Sequence, residues 1–440
     1  MLKEILKLDR TLIILLLGVL LSHLGTYMVM PMLPIILKID NGLSLVQIGS
    51  ILASIAIAFQ LGSIFGGVLA DRVGRRFIIG LGALITAMGI FGFGFFNGFF
   101  PLLLMAMTMG FGTGLNAPST KAAIAALASV ENRTTAFSLR GIFANVGTGS
   151  AGLIIFFLIT ESSNFIFWIG GVIYIWLAFQ SWLFLPKECG DLPCPPVPRS
   201  AYREVFKNKP FIVFSIVTIF IWALYAQLSL TLPLIATEIL AEPKNVALIW
   251  TVNSAIVILS QSVITMKIIN RVHPLTALSF GILFISAGIS ALFFATSFLF
   301  LIMSGAIFVI GEMLILPTID STISQLSKAE LIGLFFALSN VVSGLGDAGG
   351  KSIGGNLLQV GSGENSIIWM VYLITGITLF LVVNLLKKWQ PLANSLRKAA
   401  LKENKPKHAP RVLIEPSEHR TQPYNNWKPE FFFRKRENLE

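Results

Sequence analysis

Cysteine and histidine are almost missing from this chain, with two and four copies in 440 residues. That scarcity rules out a disulfide-built scaffold, and the scattered histidines offer no metal-ligand spacing. Cys189 and Cys194 share one loop and are read as reduced thiols. Charge is scarce as well: Asp, Glu, Lys and Arg make up 12% of the residues, where soluble domains carry about a quarter. No G-x-x-x-x-G-K-[ST] loop is present, which excludes ATP drive within the chain. No nucleophile–base set marks an enzyme.

What remains is apolar. Hydrophobic residues make up 55% of the chain, with 35 Phe and 38 Gly, suited to lipid-facing bulk and close helix packing. Stretches of the roughly 20 apolar residues that cross a bilayer run over 11–37, 45–70, 77–97, 100–128, 134–160 and 165–185. Six more follow over 211–236, 246–268, 276–297, 299–326, 331–360 and 366–386. Lys3, Lys7 and Arg10 precede the first run as in a secretory signal, but no small-x-small cleavage site follows, so it is read as a retained helix.

The loop cations sort to one side. Arg72, Arg75, Arg76, Arg133, Lys187, Arg203, Lys267, Arg271 and Lys328 share it, against Lys38 and Lys244 on the other. The positive-inside rule then places both termini in the cytoplasm of a cell with the protein in its inner membrane. The net charge of +11 is largely a tail effect, since 13 basic and 6 acidic residues follow position 386. Nucleic acid is therefore not an expected partner. Residues 1–185 and 211–386 are expected to form two six-helix halves joined by a Pro-rich cytoplasmic linker over 186–210. Residues 387–440 read as a disordered basic tail able to touch anionic lipid heads.

An internal repeat supports this division. A shift of 199 positions lays Leu33-Pro34 on Leu232-Pro233, Arg72-Val73 on Arg271-Val272, Gly112 on Gly311, Pro118 on Pro317 and Gly147 on Gly346. One ungapped offset spans five helices of each half, so both halves run the same way through the membrane, as in a 6+6 transporter.

Between the second and third spans stands Gly66-Gly67-Val68-Leu69-Ala70-Asp71-Arg72-Val73-Gly74-Arg75-Arg76. It resembles the G-x-L-x-D-R-x-G-R-R loop of the major facilitator superfamily, and within it the drug/proton antiporter branch. Gly311-Glu312 followed by Pro317, and Tyr27 to Pro34 in the first span, are similar to the same branch. Ala106 stands where its fourth helix usually carries Arg, and Leu153 where its fifth helix carries Pro. The resemblance implies twelve transmembrane helices in two pseudo-symmetric halves, an all-α membrane fold, and alternating access in which the Gly67, Asp71, Arg72, Gly74, Arg75 and Arg76 loop serves conformational switching. Asp71 can face a helix N-terminus or a basic partner.

Ionisable residues inside the spans cost at least about 2.5–3.5 kcal/mol each near the bilayer centre, so each is a candidate for function. Glu312 lies near mid-depth with no opposite charge within one turn, and fits a proton carrier or a neutral hydrogen-bonder. Asp347 has Lys351 at i+4 and reads as a self-neutralised pair or a second coupling acid; His23 is a neutral cavity imidazole or a proton relay. Lys121 and Asp320 are repeat mates, three residues after Pro118 and Pro317. By the superfamily analogy Lys121 or Arg140 pairs with Asp320 when the cytoplasmic side closes. Tyr27, Asn116, Asn145, Tyr225 and Gln227 are candidate cavity-lining groups or interhelical glue.

These readings converge on a secondary transporter, expected to be a monomer, that exports small amphiphilic or cationic compounds. It draws on the proton gradient, with no cofactor and no metal. A transporter of one defined metabolite, such as a siderophore or lipid-like compound, and a transport-dead receptor or scaffold stand as alternatives.

Overall fold

Proline and glycine set where these helices bend, end and touch. The computed structural model describes residues 9–129, 132–158, 164–187, 203–240, 244–360 and 367–403. Both cysteines, most of the expected linker and the tail beyond residue 403 lie outside the described residues. The first half holds spans one to six: Arg10–Val29, Leu45–Val73, Arg75–Phe95, Phe99–Leu127, Arg133–Leu158 and Asn164–Phe184. The second holds spans seven to twelve: Lys209–Ile239, Lys244–Lys267, Pro274–Ala291, Phe298–Leu326, Ile332–Val360 and Ile367–Lys388. Among the described residues, eleven helices are long and apolar enough to cross a membrane. The fifth span is not among the eleven; Arg140, Asn145 and four glycines make it the more polar.

Two expectations need correction. The first span is not continuous to residue 37: it ends at Val29, and a short helix, Leu33–Ile39, follows a turn. Pro31 has no N–H to give the Tyr27 carbonyl, and Pro34 then starts the next helix, where a missing donor costs nothing. The tail does not begin disordered. Gln390–Glu403 is a helix whose Leu392 and Leu396, one turn apart, are buried in the cluster that also holds Val205, Phe211 and Leu326.

Glycines let backbones touch within each half. A Cβ on Gly62 would lie 2.3 Å from the Phe111 carbonyl oxygen, so only glycine permits the crossing of spans two and four. Between the halves, span two meets span eleven, and span five meets spans eight and ten. The hydrogen bonds that join the halves gather toward the end carrying Arg72, Arg133 and Lys328, here termed the basic end. Toward the opposite end the halves part. Ile353 is 62% exposed and Leu153 53%, while a Cβ on Gly152 or Gly349 would meet nothing within 4 Å among the described residues.

Candidate functional site

The loop signature builds a clasp between the halves. Asp71, at the last turn of span two, is 2% exposed. Its Oδ1 accepts from the Gly333 N–H at 2.9 Å and its Oδ2 from the Leu334 N–H at 3.0 Å. Those amides belong to the first turn of span eleven, whose N–H groups have no partner within their own helix, so the carboxylate sits against the positive helix end. Gly67 permits the approach: a Cβ there would lie 2.4 Å from the Gly333 carbonyl oxygen. Gly74 turns the chain with φ of 110°, a conformation that side chains other than glycine resist. Buried Arg75 adds its charge beside Asp71, Arg76 Nη1 donates to the Leu185 carbonyl at 3.2 Å, and Arg72 is exposed.

A second set of charges meets between spans four, five and ten. Lys121 Nζ donates to Asp320 Oδ1 at 2.9 Å, and Arg140 Nη1 stands 4.0 Å from Asp320 Oδ2. Both cations named at the sequence level thus share one acid. Lys121 also lies 5.9 Å from the centre of the Phe336 ring, which packs at 5.7 Å on Phe137. Nearby, Arg133 donates to the Ser324 carbonyl at 3.0 Å, and the Thr134 and Ser321 hydroxyls are 2.7 Å apart.

A further set of polar and aromatic groups gathers around Glu312. Glu312 stands eight residues before Asp320 on span ten, two turns or about 12 Å along the same face. Its side chain pairs with the Tyr225 hydroxyl, and its charge reaches Tyr27. Tyr225 packs on Trp222 and Phe308, while Tyr27, 43% exposed, stacks on His23 at 6.1 Å. The His23 Nδ1 lies 2.9 Å from the Val19 carbonyl, the geometry of an Nδ1–H donor, and the ring feels the charge of Arg140. Asp347, within electrostatic reach of Tyr225, is paired at 2.8 Å with Lys351, and both are more than 40% exposed.

The Major Facilitator Superfamily model matches residues 15–350. The chain belongs to that superfamily. It is 25% identical over 348 residues to the uncharacterized MFS-type transporter YttB of Bacillus subtilis, covering 78% of this chain and 86% of that one. It is also 25% identical over 348 residues to the multidrug resistance protein MdtH of Yersinia enterocolitica, covering 79% and 86%. Crystal structures of the human organic anion transporter MFSD10 and of the Escherichia coli fucose:proton symporter FucP share its fold. Both give a TM-score of 0.67, at 15% and 14% identity, covering 85% of this chain and 99% and 98% of theirs. The chain is a multi-pass membrane transporter of the major facilitator fold.

Within that fold, two of the five candidates named as cavity-lining groups or interhelical glue serve as glue. Gln227 is 3% exposed and fully engaged: its Nε2 donates to the Ala223 and Gly350 carbonyls, and its Oε1 accepts from the Tyr372 hydroxyl. Asn116 donates to the Ile79 carbonyl and accepts from Thr120. Both hold helices of one half together. Asn145, half-buried, donates to the Gly141 carbonyl of its own helix. The sequence reading missed Arg133, Ser138 and Thr265 as interface groups. Nothing in composition marks a serine or threonine that faces the partner half; the 199-residue shift, however, does pair Phe137 with Phe336.

Proposed function

We propose that this superfamily member is a proton-coupled exporter of small amphiphilic or cationic compounds, working by alternating access in the cytoplasmic membrane with both termini inside. The observation that carries the reading is Glu312: a mid-depth carboxyl with no cation one turn away on its helix, hydrogen-bonded to Tyr225, within electrostatic reach of Tyr27, and near Trp222 and Phe308, which pack on Tyr225. An acid rimmed by aromatic faces suits an organic cation, through both the charge and the ring quadrupoles. The same acid suits a proton, and competition between the two for one carboxylate is what exchange requires. The multidrug naming of the MdtH relatives agrees with this substrate class.

With the basic end taken as cytoplasmic, the conformation is outward-facing. Lys121, Arg140 and Asp320 act as the closed inner gate, and Asp71 as its peripheral clasp. A proton arriving from outside discharges Glu312 and releases the cation; parting of the gate then exposes Glu312 to the cytoplasm, where the proton leaves and the next cation binds. The carboxyl alternates between the two compartments, and the helices supply the access.

Glu312→Gln mimics the protonated acid at nearly unchanged volume. In proteoliposomes holding a fluorescent organic cation it should abolish pH-driven accumulation while leaving downhill exchange in place. Normal uphill pumping by this variant would move the coupling role to Asp347 or His23.

A further inference from the structure

A chain of hydrogen bonds, buried over its first three links, leaves span ten just before its proline, crosses into the other half, and returns just after it. Pro317 cannot donate to the carbonyl four residues back, that of Met313. Gln261 of span eight takes that carbonyl: its Nε2 donates to Met313 O at 3.1 Å and to the Thr265 hydroxyl at 3.2 Å. The Thr265 hydroxyl donates across the halves to Ser138 at 2.7 Å, and Ser138 donates to the Thr134 carbonyl at 2.9 Å. Thr134 then meets Ser321, four residues beyond Pro317, through its own hydroxyl. Gln261, Thr265 and Ser138 are each at most 3% exposed, so water does not substitute for the bonds that Gln261 and Thr265 make.

We propose that Gln261 is a positioning residue for Glu312: through the carbonyl released by Pro317 it ties the bend of span ten to closure of the basic end. Glu312 is the residue next to Met313, so the limb that Gln261 holds is the one that aims the carboxyl. Both inter-half links of the chain, Thr265–Ser138 and Thr134–Ser321, must break when spans eight and ten leave span five. Opening the basic end therefore frees Thr265, which accepts from Gln261, and Ser321, beyond Pro317, in one step, and a buried donor left without an acceptor is costly enough to make the change two-state. The inference rests on Glu312 as the coupling acid for its functional consequence, while the clasp itself does not.

The test uses the full chain in proteoliposomes, with Cys189 and Cys194 replaced by Ser and spin labels on Val73→Cys and Val272→Cys, exposed positions of the two halves. Gln261→Leu and Thr265→Val should each shift the label distances toward the open basic end several-fold and displace the pH profile of transport. Combining them should add little to either alone, because they break one chain. Thr265→Ser should restore the parent distances. Ser262→Ala is the control on the same helix, since the Ser262 hydroxyl has no hydrogen-bond partner among the described residues; it should change neither readout. Additive effects, or parent-like distances in Gln261→Leu, would overturn the proposal whatever Glu312 does. A normally pumping Glu312→Gln would overturn the coupling role alone.

Discussion

Replacing Asp71 with Asn should unfasten the halves without unfolding them. The carboxylate accepts two charge-assisted bonds from the first turn of span eleven, at 2.9 and 3.0 Å, and is 2% exposed. Asn keeps one acceptor oxygen, turns an NH2 toward the other amide, and removes the negative charge from the helix N-terminus. A hydrogen bond to a charged group contributes about 1.5–3 kcal/mol, and a charge at a partly buried helix end up to about 2 kcal/mol. With the surviving bond set against these, the closed basic end should lose about 2–3 kcal/mol, a factor of roughly 30–150 in its ratio to the open state. The loss falls on one conformation because the two partners lie in different halves. Hydrogen–deuterium exchange reads this directly, since the Gly333 and Leu334 amides are protected only while Asp71 covers them. Exchange there should accelerate by that factor in Asp71→Asn, with insertion intact and transport severely reduced. Unchanged exchange at these amides, or near-parent transport by correctly inserted protein, would refute the clasp as a state-specific contact.

Three further outcomes follow from the geometry. Lys121→Asp should impair transport, because breaking a buried pair costs about 3–5 kcal/mol, and adding Asp320→Lys should restore part of it; a double-mutant cycle without coupling energy would leave Arg140 as the partner. Cysteines placed near Glu161, Lys244 and Glu364 should react with an impermeant maleimide added outside, and those near Arg133, Arg203 and Lys328 should not; labelling at Arg203 would reverse the orientation. His273 caps span nine by accepting the Leu275 N–H at its Nδ1, and burial, then the Lys387 charge, holds its pKa below the ordinary 6.5. Folding thus favours the neutral ring, and its contribution is complete above pH 6.5 and fades as pH falls from there toward the lowered value. Thermal unfolding should show this loss as the pH is lowered below 6.5, and His273→Ala should flatten it.

Much of this arrangement was legible in the sequence because membrane helices are specified by composition and by small-residue contacts. Apolar length, loop cations and one ungapped offset were enough for the helices and the repeat. Asp71 against a helix end was reachable because a charge buried near a bilayer needs a partner, whereas Lys121 with Asp320 followed from the superfamily resemblance. The broken first span was harder: Pro31 and Pro34 announce it, but the apolar run continues through both. The tail helix hid because its apolar signal is a single i, i+4 pair, Leu392 and Leu396, in a basic segment. Asn116 and Gln227 take the second of the two roles open to them, interhelical glue. Depth can be counted along a sequence, whereas the face of a polar residue is decided by which carbonyls, here those of Ile79 and Gly350, come within reach.

Lys121 and Asp320 are 199 positions apart, and so are Phe137 and Phe336; each pair touches its own counterpart. Residues related by a two-fold operation can meet only on the axis, so these contacts mark where it passes between the halves. In a symmetric dimer of a six-helix ancestor, each such residue would have faced an identical copy of itself. Phenylalanine tolerates that self-encounter. A lysine facing lysine, or an aspartate facing aspartate, would repel at the very centre of the interface. The opposite charges joined there are available only to a chain whose two copies differ in sequence, so this ion pair at the centre of the interface is a contact that two identical halves related by a two-fold axis cannot make.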